Sequence, residues 1–290
     1  MKYDTNYLID EVKRRGAVPT SQSLFTVDKF VLMLNDELKT RIVPFLMSFR
    51  EEWYVTEIDY TADGVTTEYP IPNNAVGSKL RDVSIWENNR MYRSVPRLDP
   101  DSLYDANYGF YVKNNKIIFY PNPIDANKTI RLSYFYRTPD LVKTTEAGQI
   151  QVVSGSDVTL ALSPPASFVN GANVQIVSHQ SPFQVLWTGS IVNVAGSTIT
   201  LDSSPNVSPN DWLCLSEQSV FPQIPIECIP MLTQAVAIKC LEALGDSDGM
   251  TIGMNTYQQM EFSAKATLSP KVDGAVKKVM NRKRISRYVI

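Results

Sequence analysis

Histidine is nearly absent from this 290-residue chain: His179 stands alone, and cysteine occurs only at Cys214, Cys228 and Cys240. One histidine and three scattered thiols without a Cys-x-x-Cys pair cannot furnish a conventional structural zinc site, and no metal or cofactor is expected. An odd number of widely spaced thiols among apolar neighbours suits buried free cysteines in a reducing compartment better than disulfides. Glycine is also sparse, 13 residues against 18 prolines. Neither Gly-x-Gly-x-x-Gly nor Gly-x-x-x-x-Gly-Lys-Ser/Thr occurs, so nucleotide chemistry lacks its phosphate cradle. No Gly-x-Ser-x-Gly elbow occurs either, which leaves His179 reading as a solvated loop side chain. Asp246-Ser247-Asp248-Gly249 and Asp99-Pro100-Asp101 lack the spaced ligands and terminal Glu of a calcium loop. Glu51 and Glu52 would diverge by about 100 degrees on a helix and read as a solvated helix end, not an acid/base pair.

Long hydrophobic runs are missing too. The longest apolar pattern, Ile226 to Leu244, is interrupted by Glu227, Lys239 and Glu242. It falls short of the ~20 consecutive apolar residues of a membrane-spanning helix, and no membrane partner is expected. The start, Met1-Lys2-Tyr3-Asp4-Thr5-Asn6, has neither the basic opening nor the apolar core of a secretory signal. Export by a signal peptide is therefore not expected.

What is present is a globular composition: 43% hydrophobic, 20% charged and 10% aromatic residues, enough to bury a sizeable core in one to two domains. The net charge of -2 conceals an asymmetry. Residues 271–290 carry Lys271, Lys277, Lys278, Arg282, Lys283, Arg284 and Arg287 against Asp273 alone, so the preceding residues form an acidic body. The basic tail is tipped with Ile285, Tyr288, Val289 and Ile290. A solvated terminus and a nucleic-acid-binding arm are the alternatives to a docking element. A purely electrostatic arm gains little from Tyr-Val-Ile, whereas a peptide entering another protein's groove or sheet gains burial energy from it. The partner-docking residues are accordingly Lys277, Lys278, Arg282, Lys283, Arg284, Arg287, Tyr288, Val289 and Ile290.

Along the chain, Asp4 or Thr5 can cap a helix with Leu8, Ile9 and Val12 in one stripe, stopped by Gly16. A second helix is capped near Thr26 and carries Phe30, Leu34, Leu38 and Ile42. Pro44 ends or kinks it, and the apolar face resumes as far as Arg50-Glu51-Glu52. From Trp53 the period becomes two, with hairpins turning at Asn88-Asn89 and Asn114-Asn115 and a strand from Ile130 to Tyr136. This segment reads as one antiparallel sheet unit. Its dense aromatics suit either cross-strand packing and subunit contact or a sugar-stacking surface, and Arg81, Arg90, Arg93 and Arg97 would supply interface ion pairs. The following residues are rich in Ser, Val, Thr, Gly and Asn, with strands at Val158–Leu162, Val174–Val177 and Thr198–Leu201 and turns at Ser154-Gly155 and Ala195-Gly196. A helix then runs from Ile229 to Leu244 with Gly245 as its C-terminal cap. A loop at Asp246–Gly249 leads to a more polar helix, about Thr251 to Thr267, ended by Pro270.

The expected class is α+β: terminal helices forming a helical bundle, antiparallel β-sheet and small β-barrel or sandwich insertions, and an extended C-terminal tail. The expected boundaries are 1–52 with 222–269 for the helical core, 53–147 for the sheet region, 148–221 for the inserted β module and 270–290 for the basic docking tail.

The run Leu46-Met47-Ser48-Phe49-Arg50-Glu51-Glu52-Trp53-Tyr54-Val55-Thr56, with Tyr69-Pro70-Ile71-Pro72, Gly77–Val83 and the helix Pro225–Asp246, resembles virion neck proteins of tailed bacteriophages. Similarity to their head-to-tail adaptors, or connectors, implies a structural, non-enzymatic virion protein of the neck or tail, assembled in the host cytoplasm. It implies a homo-oligomeric ring, commonly of twelve copies, beneath the portal protein and above a downstream tail or nozzle protein. A C-terminal extension would grip the portal, and genomic DNA would pass through without specific binding. Two other classes remain at this point: a tail-associated receptor- or glycan-binding module, and a wall hydrolase depending on a group such as His179.

Overall fold

The computed structural model describes residues 2–19, 24–100 and 108–269. Side-chain caps open the first two helices. Asp4 accepts a hydrogen bond from Tyr7 N at 2.8 Å and opens α1 (Thr5–Arg15). Thr26 accepts from Lys29 N at 3.4 Å and opens α2 (Val27–Glu37). Beyond α2 the ladder widens into a π turn at Leu38–Ile42 before α3 (Val43–Met47), which holds Pro44 in its first turn. A proline there has no N–H to donate backwards, so the helix restarts behind a looser turn. α3 ends at Met47 and Glu51–Tyr54 forms a 3-10 turn, so the helix does not reach Arg50-Glu51-Glu52 as the apolar spacing suggests. The Ser48 hydroxyl donates to the Phe45 carbonyl at 2.7 Å and occupies a backbone acceptor of that last turn.

Near the other end of the described chain, α4 (Ile229–Leu244) is buried on every side from 231 to 238, while its last turn, 242–244, is exposed. Gly245 closes it in the left-handed region, φ 76°. α5 (Ser247–Leu268) begins at Ser247, not near Thr251, because Asp246 is a helix cap and not part of a loop. Its carboxylate accepts from Gly249 N at 2.8 Å, and a Cβ at 249 would lie 2.4 Å from that carboxylate. α5 returns along α4 through Gly253, Tyr257, Ala264 and Leu268, with Gln234 Nε2 donating to the Gly253 carbonyl at 3.4 Å. α1 and α2 also pack on α4. Helices distant in sequence thus share one core, built around Leu8, Phe30, Leu34, Met231 and Val236.

Between the helices lie strands in several antiparallel sheets. β1 (Val55–Thr61), β3 (Ala75–Glu87), β4 (Arg90–Ser94) and β7 (Thr129–Tyr136) form one sheet in the order β1-β7-β3-β4. β2 (Glu68–Pro70), β5 (Gly109–Lys113) and β6 (Lys116–Tyr120) form a second in the order β2-β6-β5. The segment is therefore two sheets sharing a core, not one. Period-two patterning marks strands but not their sheet, and the apolar face of β7 needs a cover, which Phe110, Ile117 and Phe119 supply to Ile130 and Leu132. Both Asn-Asn turns occur where the sequence places them, with φ 49° and 59° at Asn88 and Asn89, and 51° and 57° at Asn114 and Asn115.

After β8 (Asp140–Leu141) come β9 (Gly148–Ser154), β10 (Asp157–Leu160), β11 (Asn173–Val177), β12 (Val185–Ala195), β13 (Thr198–Leu201) and β14 (Trp212–Leu215). These six close on themselves in the order β10-β13-β12-β11-β14-β9, around Val158, Ile176, Ile199 and Leu213. The chain enters and leaves this unit side by side, β8 pairing in parallel with β15 (Gln218–Ser219). The Thr5 hydroxyl lies 2.7 Å from the Val142 carbonyl and 3.0 Å from that of Val220, tying α1 to both crossings. From α2, Asn35 donates to the Leu141 carbonyl at 2.9 Å and accepts from Leu141 N at 2.7 Å, acting as a short substitute strand.

Candidate interaction surfaces

The nine residues expected to dock a partner, from Lys277 to Ile290, lie outside the described residues. The described chain stops at Ser269, just past α5, where Arg50 reaches the Leu268 carbonyl at 3.4 Å. Within the described residues the helical layer carries two surfaces that solvent alone does not explain. α5 buries one stripe against α4 and exposes Ile252, Met254 and Phe262, the last at 78%. Between them stand amides and hydroxyls such as Asn255, Gln258, Gln259 and Ser263, and Asp248, Glu261 and Lys265 are the charged residues of this 22-residue helix. Apolar side chains among uncharged polar ones, with few charges, characterise interface cores. The second surface is a hollow of about 300 Å³ lined by Leu24, Phe25, Lys29, Leu32, Met33 and Ala243, in which Leu32 is 67% exposed. The apolar periodicity of α2 announces only its buried stripe. Leu32 and Phe262 stand off the stripes of their helices, and that mismatch is the signal by which the sequence could have revealed both surfaces.

Most aromatic residues of the first sheets are packing residues. Tyr54, Tyr69, Phe110, Phe119, Tyr134 and Phe135 are buried, which removes them from any sugar-stacking surface. The arginines expected at a subunit interface differ in their surroundings within the chain. Arg93 stacks on Tyr108 with its guanidinium 3.7 Å from the ring centroid, while Arg90 and Arg97 make no ion pair among the described residues. The ion pair that does organise this face belongs to Arg131, bidentate to Asp59 at 2.7 and 2.8 Å and stacked 4.2 Å over Trp86. That arginine holds the Asp59 carboxyl below its ordinary pKa, chiefly through the hydrogen bond.

His179 is not a solvated side chain. Its Nδ1 lies 2.7 Å from Asp211 Oδ1, and Asp211, 2% exposed, also accepts from His179 N at 3.0 Å and Ser208 N at 2.8 Å. Nε2 lies 3.4 Å from Gln180 Nε2, an amide where a hydrolase would present a nucleophile's hydroxyl. The pair therefore works as a partly buried tie between two loops at one end of the barrel. Asp211→Ala is expected to lower stability by about 1–3 kcal/mol because it strands buried donors. His179→Ala should cost less than Asp211→Ala, since it leaves the backbone donors paired. Denaturant midpoints of the two variants check this order. The three cysteines are free and buried, and burial pushes the Cys214 and Cys228 thiols up to about 12 and Cys240 up to about 11, which keeps them protonated and unreactive.

The profile of the SU10 adaptor protein family matches residues 7–172, more than half of the 290-residue chain. The chain belongs to that family. It is a bacteriophage structural adaptor and, as such, a virion component that contacts other head and tail proteins. No curated protein matches the chain.

In this adaptor the matched segment runs from within α1 to the residue before β11, taking in both sheets and the first two strands of the barrel. The runs Leu46–Thr56, Tyr69–Pro72 and Gly77–Val83, which carry the likeness in the sequence, fall inside it, while Pro225–Asp246 falls outside. Both exposed surfaces draw on helices at the edges of the adaptor: the hollow combines matched α2 with unmatched α4, and Phe262 stands on unmatched α5. Among the described residues no helix is long and apolar enough to cross a membrane.

Proposed function

We propose that this protein is a head-to-tail adaptor that works by association, without a chemical step. It forms a homo-oligomeric ring, twelve copies by resemblance to known connectors, between the portal and a downstream tail or nozzle protein. Family membership over residues 7–172 carries this reading. In it, residues 1–52 and 222–269 form the helical body, 53–147 and 148–221 project as β units, and 270–290 dock on the portal. Two features of the chain support the assignment of roles. The segment 271–290 joins seven basic residues to an apolar Tyr-Val-Ile end, so it gains from both charge complementarity and burial in a partner groove. The acidic remainder suits a wall along which DNA slides, because like charge suppresses the phosphate contacts that create affinity. Assembly would take place in the host cytoplasm, before genome ejection uses the completed neck.

Deleting residues 271–290 is expected to abolish co-sedimentation with the cognate portal while the far-ultraviolet dichroism of the body stays unchanged. Attachment that survives the deletion would remove the docking role of the tail. Averaged electron micrographs of the portal-bound protein check the ring itself, through its rotational symmetry.

A further inference from the structure

The two exposed apolar surfaces of the helical layer differ in shape. α5 presents a ridge, with Phe262 at 78% and Ile252 at 68% exposure, about 15 Å apart at the rise of a helix. The α2 and α4 surface is a hollow of about 300 Å³ walled by Leu24, Leu32, Met33 and Ala243. Charge differs in the same sense. Lys29 Nζ, on the rim of the hollow, donates to the Leu24 carbonyl at 2.8 Å and forms no ion pair among the described residues. Glu261, next to Phe262, forms no ion pair among the described residues. We infer that the α5 ridge of one copy seats in the α2/α4 hollow of the next, Phe262 filling the hollow and Glu261 approaching Lys29.

This inference rests on the ring proposed above and names the surfaces that build it. A ridge and a hollow on one chain are a heterologous pair: each contact leaves a free ridge at one end and a free hollow at the other, so copies add until the rotation closes. An isologous α5–α5 contact would cover the ridge but leave the hollow and Lys29 without a partner. A second copy is therefore the occupant that matches both surfaces at once, in shape and in charge.

The test uses the full chain and two substitutions at exposed positions, Phe262→Glu and Leu32→Glu, each checked for unchanged circular dichroism. In sedimentation velocity, at concentrations where the unaltered chain assembles, each variant is expected to run as a monomer. An equimolar mixture is expected to run as a dimer, because each partner then offers one intact surface. Variants that assemble like the unaltered chain would overturn this interface and leave the ring reading standing, as would a mixture that stays monomeric. An unaltered chain that stays monomeric both alone and on the portal would overturn the ring reading, and this inference with it.

Discussion

Phe221→Ala is expected to lower folding stability by about 3–5 kcal/mol, the range for removing a fully buried aromatic ring. Phe221 is 0% exposed and stacks on Phe183 with centroids 5.0 Å apart and planes 14° from parallel. Trp212 meets it edge-on at 6.4 Å, and Phe183 in turn meets Tyr3 at 6.2 Å. These rings come from the start of the chain, from the barrel and from the segment leading into α4, so they form the joint at which the barrel is seated on the helices. A cavity there is expected to do more than shift a midpoint. The helix signal at 222 nm and the near-ultraviolet aromatic signal should separate in denaturant, because the joint that makes the two parts unfold together has been weakened. Phe183→Ala combined with Phe221→Ala should cost about 0.5–1.5 kcal/mol less than the sum of the two single changes, because the stacking is lost once in the double variant and once in each single one. Leu162→Ala, at a side chain 81% exposed, is the control and should change stability by less than about 0.5 kcal/mol. A Phe221 variant that behaves like the Leu162 control would refute the joint.

Why this joint is hard to read in advance shows which physics a sequence carries openly. Local physics is legible. The caps Asp4 and Thr26, the stop at Gly245, the Asn-Asn turns and the alternation of β7 depend on neighbours a few residues away, and each lies where the sequence implies. Pairing at long range is not. Nothing local says that the hairpin of β5 and β6 faces β7 as a separate sheet, or that Asn35 substitutes for a strand beside β8. Long β12 is obscured for a related reason, since Gly189, Ser190 and Asn193 dilute its strand composition while its pairing with β11 and β13 holds it. Asp246 misleads through resemblance: Asp-Ser-Asp-Gly suggests a loop, yet the same carboxylate and glycine are what a capped helix start requires. His179 misleads by isolation, because its partner Asp211 is 32 positions away.

For the candidate surfaces the balance is similar. The adaptor assignment is legible from runs of residues within 46–83, and the family match covers them. Charge and apolar tip make the tail conspicuous, and the described residues end before it. The ridge and the hollow are invisible in composition, because an exposed Phe or Leu on an amphipathic helix has the same letter as a buried one. They emerge only when the buried stripes of α2 and α5 are seen to face the core while Leu32, Ile252 and Phe262 remain outside.

Where α2 meets α4, beside the hollow, the contact holds one buried carboxylate. Glu37 is 2% exposed and its Oε1 lies 2.9 Å from Lys239 Nζ on α4. Its other oxygen, Oε2, lies 3.3 Å from Arg41 Nε but makes no hydrogen bond, so Lys239 is the partner that satisfies the group. Burial works against the Lys239 charge, but its hydrogen bonds to Asp36 and Glu37 prevail and hold its pKa above the ordinary value. Lys239→Met is therefore expected to cost about 3 kcal/mol, near the lower end for breaking a buried pair, since Arg41 remains close and Lys239 is partly exposed. Asp36→Asn, at the exposed partner, should cost less than about 1 kcal/mol. The decisive comparison is the double variant Glu37→Leu with Lys239→Met, which removes the stranded charge along with its partner and should recover most of the loss. If α2 is seated by packing once the charge is gone, assembly measured by sedimentation should return with stability in the double variant. A double variant less stable than Lys239→Met alone would mean that the ion pair contributes net stability at this contact, and that α2 depends on charge to hold the hollow open.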